Sequence, residues 1–390
     1  MGAHGRWPVW EVSEVSCMIR PSHRSRGRFL MRRSISMPVP AALALVLALA
    51  ATAGCSGHGT GERAAGPAKS AAGPAASGAP APVKVPPLSQ EEARGVVKDV
   101  TLKVEADNFD AGYWKGVTEG PLLEQQLAVV ETARKYGTDR EPRPADAPET
   151  DPAVHTWSTG KDDGGDRWIL GAHEVQGYTV GDAGKEAVLR WSLFHQQKAG
   201  APWLAAFIAR APEPGGLPQV AVGPDGRAVT GGDTAGLAAD PAKLCGQYGD
   251  YMYTDAGPGG VKWSQDVTKR KAASAAQLER MRTSLGKGAK VDFGVDVNRG
   301  SHGPLWRTTD GGALVACTAV SKVYTESGPG RSTTFSSSGW AGTTDIPWAS
   351  YTQRIMGLTV LKVSAGAAGE VSVEAESNLP YSFDGTKYTG

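Results

Sequence analysis

The hydrophobic period of this 390-residue chain changes from helical to extended twice, and that alternation limits the fold more than any other feature. Ser89-Gln-Glu-Glu92 spells a capping box, and Val96, Val100 and Val104 follow at four-residue spacing, so a helix is expected there. Gly120-Pro121 opens a second helix with proline at its first position, carrying Leu123, Leu127 and Val130 up to Gly137. Past the Pro- and acid-rich loop Arg140–Pro152 the period becomes two. Strands are expected at Val154–Ser158, Arg167–Thr179, Ala187–Gln197 and Trp203–Ala211, the last two joined through Lys198–Pro202. The same order then recurs. Asp240-Pro241 starts a helix with Leu244, Tyr248, Tyr251 and Met252, and Trp263-Ser264 starts another that ends on Gly286. Val291–Val297, Leu305–Thr309, Ala313–Thr325 and Val371–Glu376 read as strands, with Asp310-Gly311-Gly312 as a turn. The expected fold class is therefore α+β: two tandem domains, 88–232 and 233–390, each with helices followed by an antiparallel sheet.

The chain ahead of these domains has a different composition. Arg32-Arg33 precede an apolar run from Pro40 to Ala50 that is shorter than the roughly 20 residues a membrane span needs, and Thr52-Ala53-Gly54-Cys55 follows. Small residues directly before a cysteine resemble a bacterial lipobox, with Thr52 where that signal usually has leucine. The resemblance implies cleavage, lipidation (palmitate or a similar chain) on Cys55, and anchorage to the outer face of the cell membrane. Residues 1–54 would be leader and signal peptide, with Met18 or Met31 as alternative starts and either general or twin-arginine export. Residues 55–87 are Ala, Gly, Pro and Ser with scattered charges, a disordered tether by composition.

Charge narrows the partners. Removing the seven Arg and two acids of residues 1–54 leaves 34 of the 41 basic and 38 of the 40 acidic residues, a mildly acidic body unsuited to nucleic acid. Of the four cysteines only Cys245 and Cys317 lie in the body, where they either form a disulfide between helix and strand or pack as separate thiols. No second Cys or His stands at zinc-ligand spacing, so neither metal nor cofactor is expected.

Chemistry-bearing patterns are sparse. Ser158-Thr-Gly-Lys161 spells S-x-x-K, but it falls at a strand end instead of a helix start, and Lys387-Tyr-Thr-Gly390 only approximates K-T-G. His195 shares a strand face with Trp191 and is either a cavity residue or a core and rim residue; His173, in a similar strand, is read the same way. Asp292 and Asp296 read as a solvated strand face opposite Val291, Phe293, Val295 and Val297. The body's tryptophans, from Trp114 to Trp348, either fill the core or line a cavity or recognition surface. No catalytic residue is assigned.

Domains of helices followed by a sheet are analogous to the cystatin and NTF2-like cone folds. Gly200-Ala-Pro-Trp203-Leu and Leu305-Trp-Arg-Thr-Thr-Asp-Gly-Gly-Ala-Leu-Val315, together with the lipobox and tether, resemble a family of actinobacterial (Streptomyces-type) secreted lipoproteins with a domain of unknown function. The expected role is a non-catalytic binding or scaffolding module at the cell envelope, held by its lipid and meeting an envelope protein or small ligand. An envelope enzyme, or a small-ligand-binding protein using a cavity in one domain, is the alternative.

Overall fold

The computed structural model describes residues 88–106, 108–136, 154–159, 166–176, 187–211, 217–334, 343 and 346–389. Cys55 and the tether, Lys161 and Gly137 lie outside them. The elements in order are α1 (Gln90–Val104), α2 (Ala111–Lys115), α3 (Gly120–Tyr136), β1 (Val154–Ser158), β2 (Arg167–Gln176), β3 (Ala187–Gln196) and β4 (Leu204–Ala211). There follow α4 (Pro241–Tyr253), α5 (Gln265–Leu285), β5 (Lys290–Arg307), β6 (Ala313–Glu326), β7 (Trp348–Val363) and β8 (Val371–Lys387).

Local signals set most helix ends. Ser89 and Glu92 cap α1 reciprocally, and the Asp240 carboxylate accepts from the Ala242 N–H ahead of a first-turn proline. The chain leaves α5 at Gly286 with φ +83°, a conformation that favours glycine. A short helix, α2, escaped the sequence reading; Asp110 caps it through the N–H groups of Gly112 and Tyr113.

Two tandem domains are not what forms. All eight strands make one antiparallel sheet in the order β1-β2-β3-β4-β8-β7-β6-β5. The expected helix-then-strand order does recur along the chain, but β4 pairs directly with β8 through Arg210 and Glu376, so the two halves share a sheet. The last strand of the chain thus lies in its middle. The sequence reading also broke β5 into two pieces and left out β7, whose Trp348–Val363 run pairs with both β6 and β8.

The sheet is rolled. β2 and β5 stand six places apart, about 29 Å if the sheet were flat, yet a Cβ on Gly303 of β5 would lie 3.3 Å from the Trp168 ring of β2. Bulges at Val295/Val297, Asn298/Gly300 and His302/Trp306 bend β5 enough to reach across. The connection between the halves closes the roll. Its residues 220–230 bond to β5 (Ala221 N–H to Arg307 O, Arg307 N–H to Val229 O) and to β1 (Ala228 N–H to Ser158 O).

Each face of the roll has its own core. Inside, Trp157, Leu170, Trp191, Phe207, Trp306, Leu314, Met356, Leu358 and Val360 meet from strands of both halves. Outside, α1 and the residues after α2 cover Ile169, Phe194 and Ala205, while α4 and α5 cover β5–β8. Gly171 lets α1 sit close, since a Cβ there would be 2.8 Å from Val97 Cγ2. A third outer group, Trp348, Tyr351, Ile355 and Phe383, packs edge-on to Tyr136 of α3.

Cys245 on α4 and Cys317 on β6 are joined by a disulfide across 72 residues, with Cα atoms 5.2 Å apart. It fastens a helix to the sheet. A Cys245→Ala/Cys317→Ala double variant is expected to lose about 4 kcal/mol of stability in urea unfolding. Equal stability of the variant and the oxidised parent would contradict this role for the crosslink.

Candidate functional site

The aromatic residues settle first. Trp114, Trp191, Trp306 and Trp348 are almost wholly buried, and Trp157 and Trp263 nearly so. Trp191 lies inside the roll, stacked on Trp157 at 6.2 Å between ring centres, and does not border an open cavity. The space among Leu170, Trp191, Phe207, Trp306 and Leu314 is about 10 Å³, no more than a single water takes. The interior of the sheet is filled.

His195 occupies the end of β3 on this inner face, where the filling stops. Trp168, its register partner on β2, stacks on the imidazole at 4.1 Å and 14°. Glu119 comes from the short link between α2 and α3, which is fixed to β4 by backbone bonds from Glu119 N–H to Ala205 O and from Ala205 N–H to Val117 O. Its Oε1 lies 2.5 Å from His195 Nδ1. A carboxylate only accepts, so the proton of this contact is on Nδ1. Nε2 is enclosed and without a hydrogen-bond partner among the described residues; Asp166 Oδ1 lies 3.5 Å from it. A carboxylate–imidazole pair of this kind orients a base, but here the basic nitrogen faces a second carboxylate instead of a cleft.

His173 sits on the opposite face, so the structure does not bring the two histidines together. It lies under α1, 3% exposed, beside its cross-strand partner Arg190, whose guanidinium pairs with Glu105 at the end of that helix. Neither of its ring nitrogens has a hydrogen-bond partner among the described residues. Burial first, and the Arg190 charge second, push its pKa down to about 3. It is neutral, structural and shielded from solvent.

A second polar cluster marks the junction of β4 and β8. Arg270 Nη1 of α5 donates to Glu376 Oε2 at 2.6 Å, and the Tyr248 hydroxyl of α4 lies 3.4 Å from Oε1. Burial raises the pKa of Tyr248 and of neighbouring Tyr253, so both remain phenols. Arg270 and Glu376 are only partly exposed, at 24% and 16%, and each is taken up by the other. Asp296 also corrects the sequence reading: it is not simply solvated, because the bulge beside it turns its carboxylate to Arg354 Nε at 2.7 Å, while Val297 faces water at 42% exposure.

Glu119, Asp166, Arg190, Arg270 and Glu376 all escaped the sequence reading. Each acts across 76 or more residues or from a segment lacking a periodic signal, although Glu119, Asp166 and Arg190 lie within two residues of Gly120, Trp168 and Trp191, which the sequence does mark. Among the described residues no group of three His, Cys, Asp or Glu side chains could hold a metal ion. No helix among them is long and apolar enough to cross a membrane.

These features define a class: a rolled antiparallel sheet with helices outside, a filled interior and a carboxylate-bound histidine at its rim. The chain belongs to the family described as Domain of unknown function (DUF8094), whose model matches residues 84–377 and so runs through both halves of the sheet. No curated protein and no solved structure matches it.

His173 makes a pH prediction. An unfolded histidine takes up its proton near pH 6.5, whereas the folded one resists until about 3, so between these values the unfolded chain binds more protons. Its contribution to stability is complete above that window and is lost as the pH falls through it, by up to about 1.4 kcal/mol per pH unit. His173→Phe should flatten this loss, seen as a smaller shift in urea midpoint between neutral and acid buffers. An identical acid shift in the variant and the parent would show that His173 is not the titrating group.

Proposed function

We propose that this protein is an extracytoplasmic lipoprotein, anchored through a lipid on Cys55 to the outer face of the cell membrane, and that its body is a non-catalytic binding or scaffolding module. The filled interior supports the second half of the reading: the space of about 10 Å³ among Leu170, Trp191, Phe207 and Trp306 is too small to hold a substrate inside the roll. The mildly acidic charge of the body argues for a protein or small-molecule partner over nucleic acid. For location, the support is the apolar run ending in Thr52-Ala53-Gly54-Cys55 and the Ala/Gly/Pro tether after it, features of an actinobacterial-type lipoprotein. One observation favours the alternative of an enzyme or small-ligand protein, the Glu119–His195 pair at the rim.

Cys55→Ala should move the protein from the membrane fraction to the medium; unchanged membrane retention would refute lipid anchorage. Native mass spectrometry of the full chain, extracted from its envelope, separates the two functional readings. A complex with a protein partner is expected, whereas a persistent small-molecule mass increment would favour the alternative.

A further inference from the structure

Five buried polar atoms gather under the C-terminal half of α1, and none has a hydrogen-bond partner among the described residues: Thr101 Oγ1, Arg190 Nε, Ser192 Oγ and both ring nitrogens of His173. We propose that this niche is a seat for a small carboxylate, taken up by the Nε edge of the Arg190 guanidinium and by the Ser192 hydroxyl, and that Glu105 is its built-in competitor. The seat lies outside the roll, on the face away from His195. It goes beyond the reading of the body as a binding module, and it stands independently of the lipid anchor and of any protein partner.

The register places these groups together. His173 on β2 is the cross-strand partner of Arg190 on β3, and Ser192 lies two residues further along β3, on the same face. α1 forms the roof. Val97 packs over Gly171, the register partner of Ser192, and Glu105 reaches Arg190, so Thr101, one turn after Val97 and one before Glu105, falls between them. Thr101, His173, Arg190 and Ser192 are each more than nine-tenths buried.

Buried polar groups are normally paired, because an unmade bond forfeits the water that each group gave up on folding. Arg190 bonds Glu105 through Nη1, while its Nε–H has no acceptor among the described residues. A planar carboxylate is held best by two parallel N–H groups of a guanidinium, and Nε–H supplies one of a side-on pair. Glu105 already shows that this guanidinium accepts a carboxylate, and its side chain, 31% exposed, can turn out into solvent and give way. The Ser192 hydroxyl donates a further bond, as does His173 from whichever ring nitrogen carries its proton.

Charge favours the same occupant. Arg210, the cross-strand partner of Arg190 on β4, shares the outer face with Ile208, so two guanidinium groups oppose each other on neighbouring strands. Like charges so placed repel, and an anion seated beside them offsets the repulsion.

NMR titration of the full chain with sodium acetate, set against sodium chloride at matched ionic strength, tests the seat. Saturable shifts are expected at the Arg190 Nε–H and the Ser192 amide, with half-saturation on the order of 1 mM. Glu105→Gln removes the competitor and should tighten binding about threefold, the scale of one partly exposed ion pair. Ser192→Ala, which deletes a single hydroxyl, should weaken it. Arg190→Lys keeps the charge but lacks the side-on edge and should abolish it; if that variant does not fold, the other two still decide. A response that chloride reproduces overturns the proposal. So does the lack of saturation by acetate in both the parent and Glu105→Gln, or equal binding by the parent, Glu105→Gln and Ser192→Ala.

Discussion

The fold depends on one carboxylate. Glu376 stands where β8 meets β4, and that pairing brings β1–β4 and β5–β8 into a single sheet. A charge so enclosed is costly unless its oxygens are matched; Arg270 supplies the opposite charge and the Tyr248 hydroxyl lies close to the other oxygen. Both partners come from the helices that cover β5–β8, so the residue fusing the halves is held by the outer layer of one of them. The disulfide from α4 to β6 holds that layer in place and thereby keeps the Tyr248 hydroxyl beside Glu376.

Once the halves share a sheet, rolling follows from burial. The inner sides of β1–β4 and of β6–β8 are both apolar, and two strongly twisted apolar surfaces exclude water best against each other. The result is a core packed around tryptophans, whose described residues leave a space of about 10 Å³ among them. This distinguishes the roll from a cone-shaped fold, in which one sheet curves around a cavity. Polar chemistry is pushed to the ends and the seam, where Glu119 and Asp166 flank His195 and where Arg270 meets Glu376.

What was legible in the sequence was local. The Ser89 capping box, the Asp240-Pro241 start and the period-two runs of β1–β4 are written within a few residues of where they act. The shared sheet was not legible because Arg210 and Glu376 have no local mark of partnership; each looks like any polar residue on an alternating strand. β7 was overlooked for a related reason. Being central and buried at both faces over Ile355–Leu361, it reads as an unbroken apolar run that does not alternate. The face shared by His195 and Trp191 followed from counting by two, but the acid near His195 lies 76 residues earlier, and the Gly120-Pro121 helix start beside it carries no sign of that partnership.

The position of β8 bears on how such a chain can be made. Strands that emerge last from a ribosome or a translocation pore ordinarily join an edge, where the rest of the sheet already waits. Here β8 is the keystone: residue 210 pairs with residue 376, and β1–β4 lack their β8 neighbour until that distant segment is present. Pairings that distant in sequence form slowly. The interior faces of β1–β4 would stay uncovered through synthesis of everything after them, a period in which holding the chain unfolded is safer than letting it fold piecemeal.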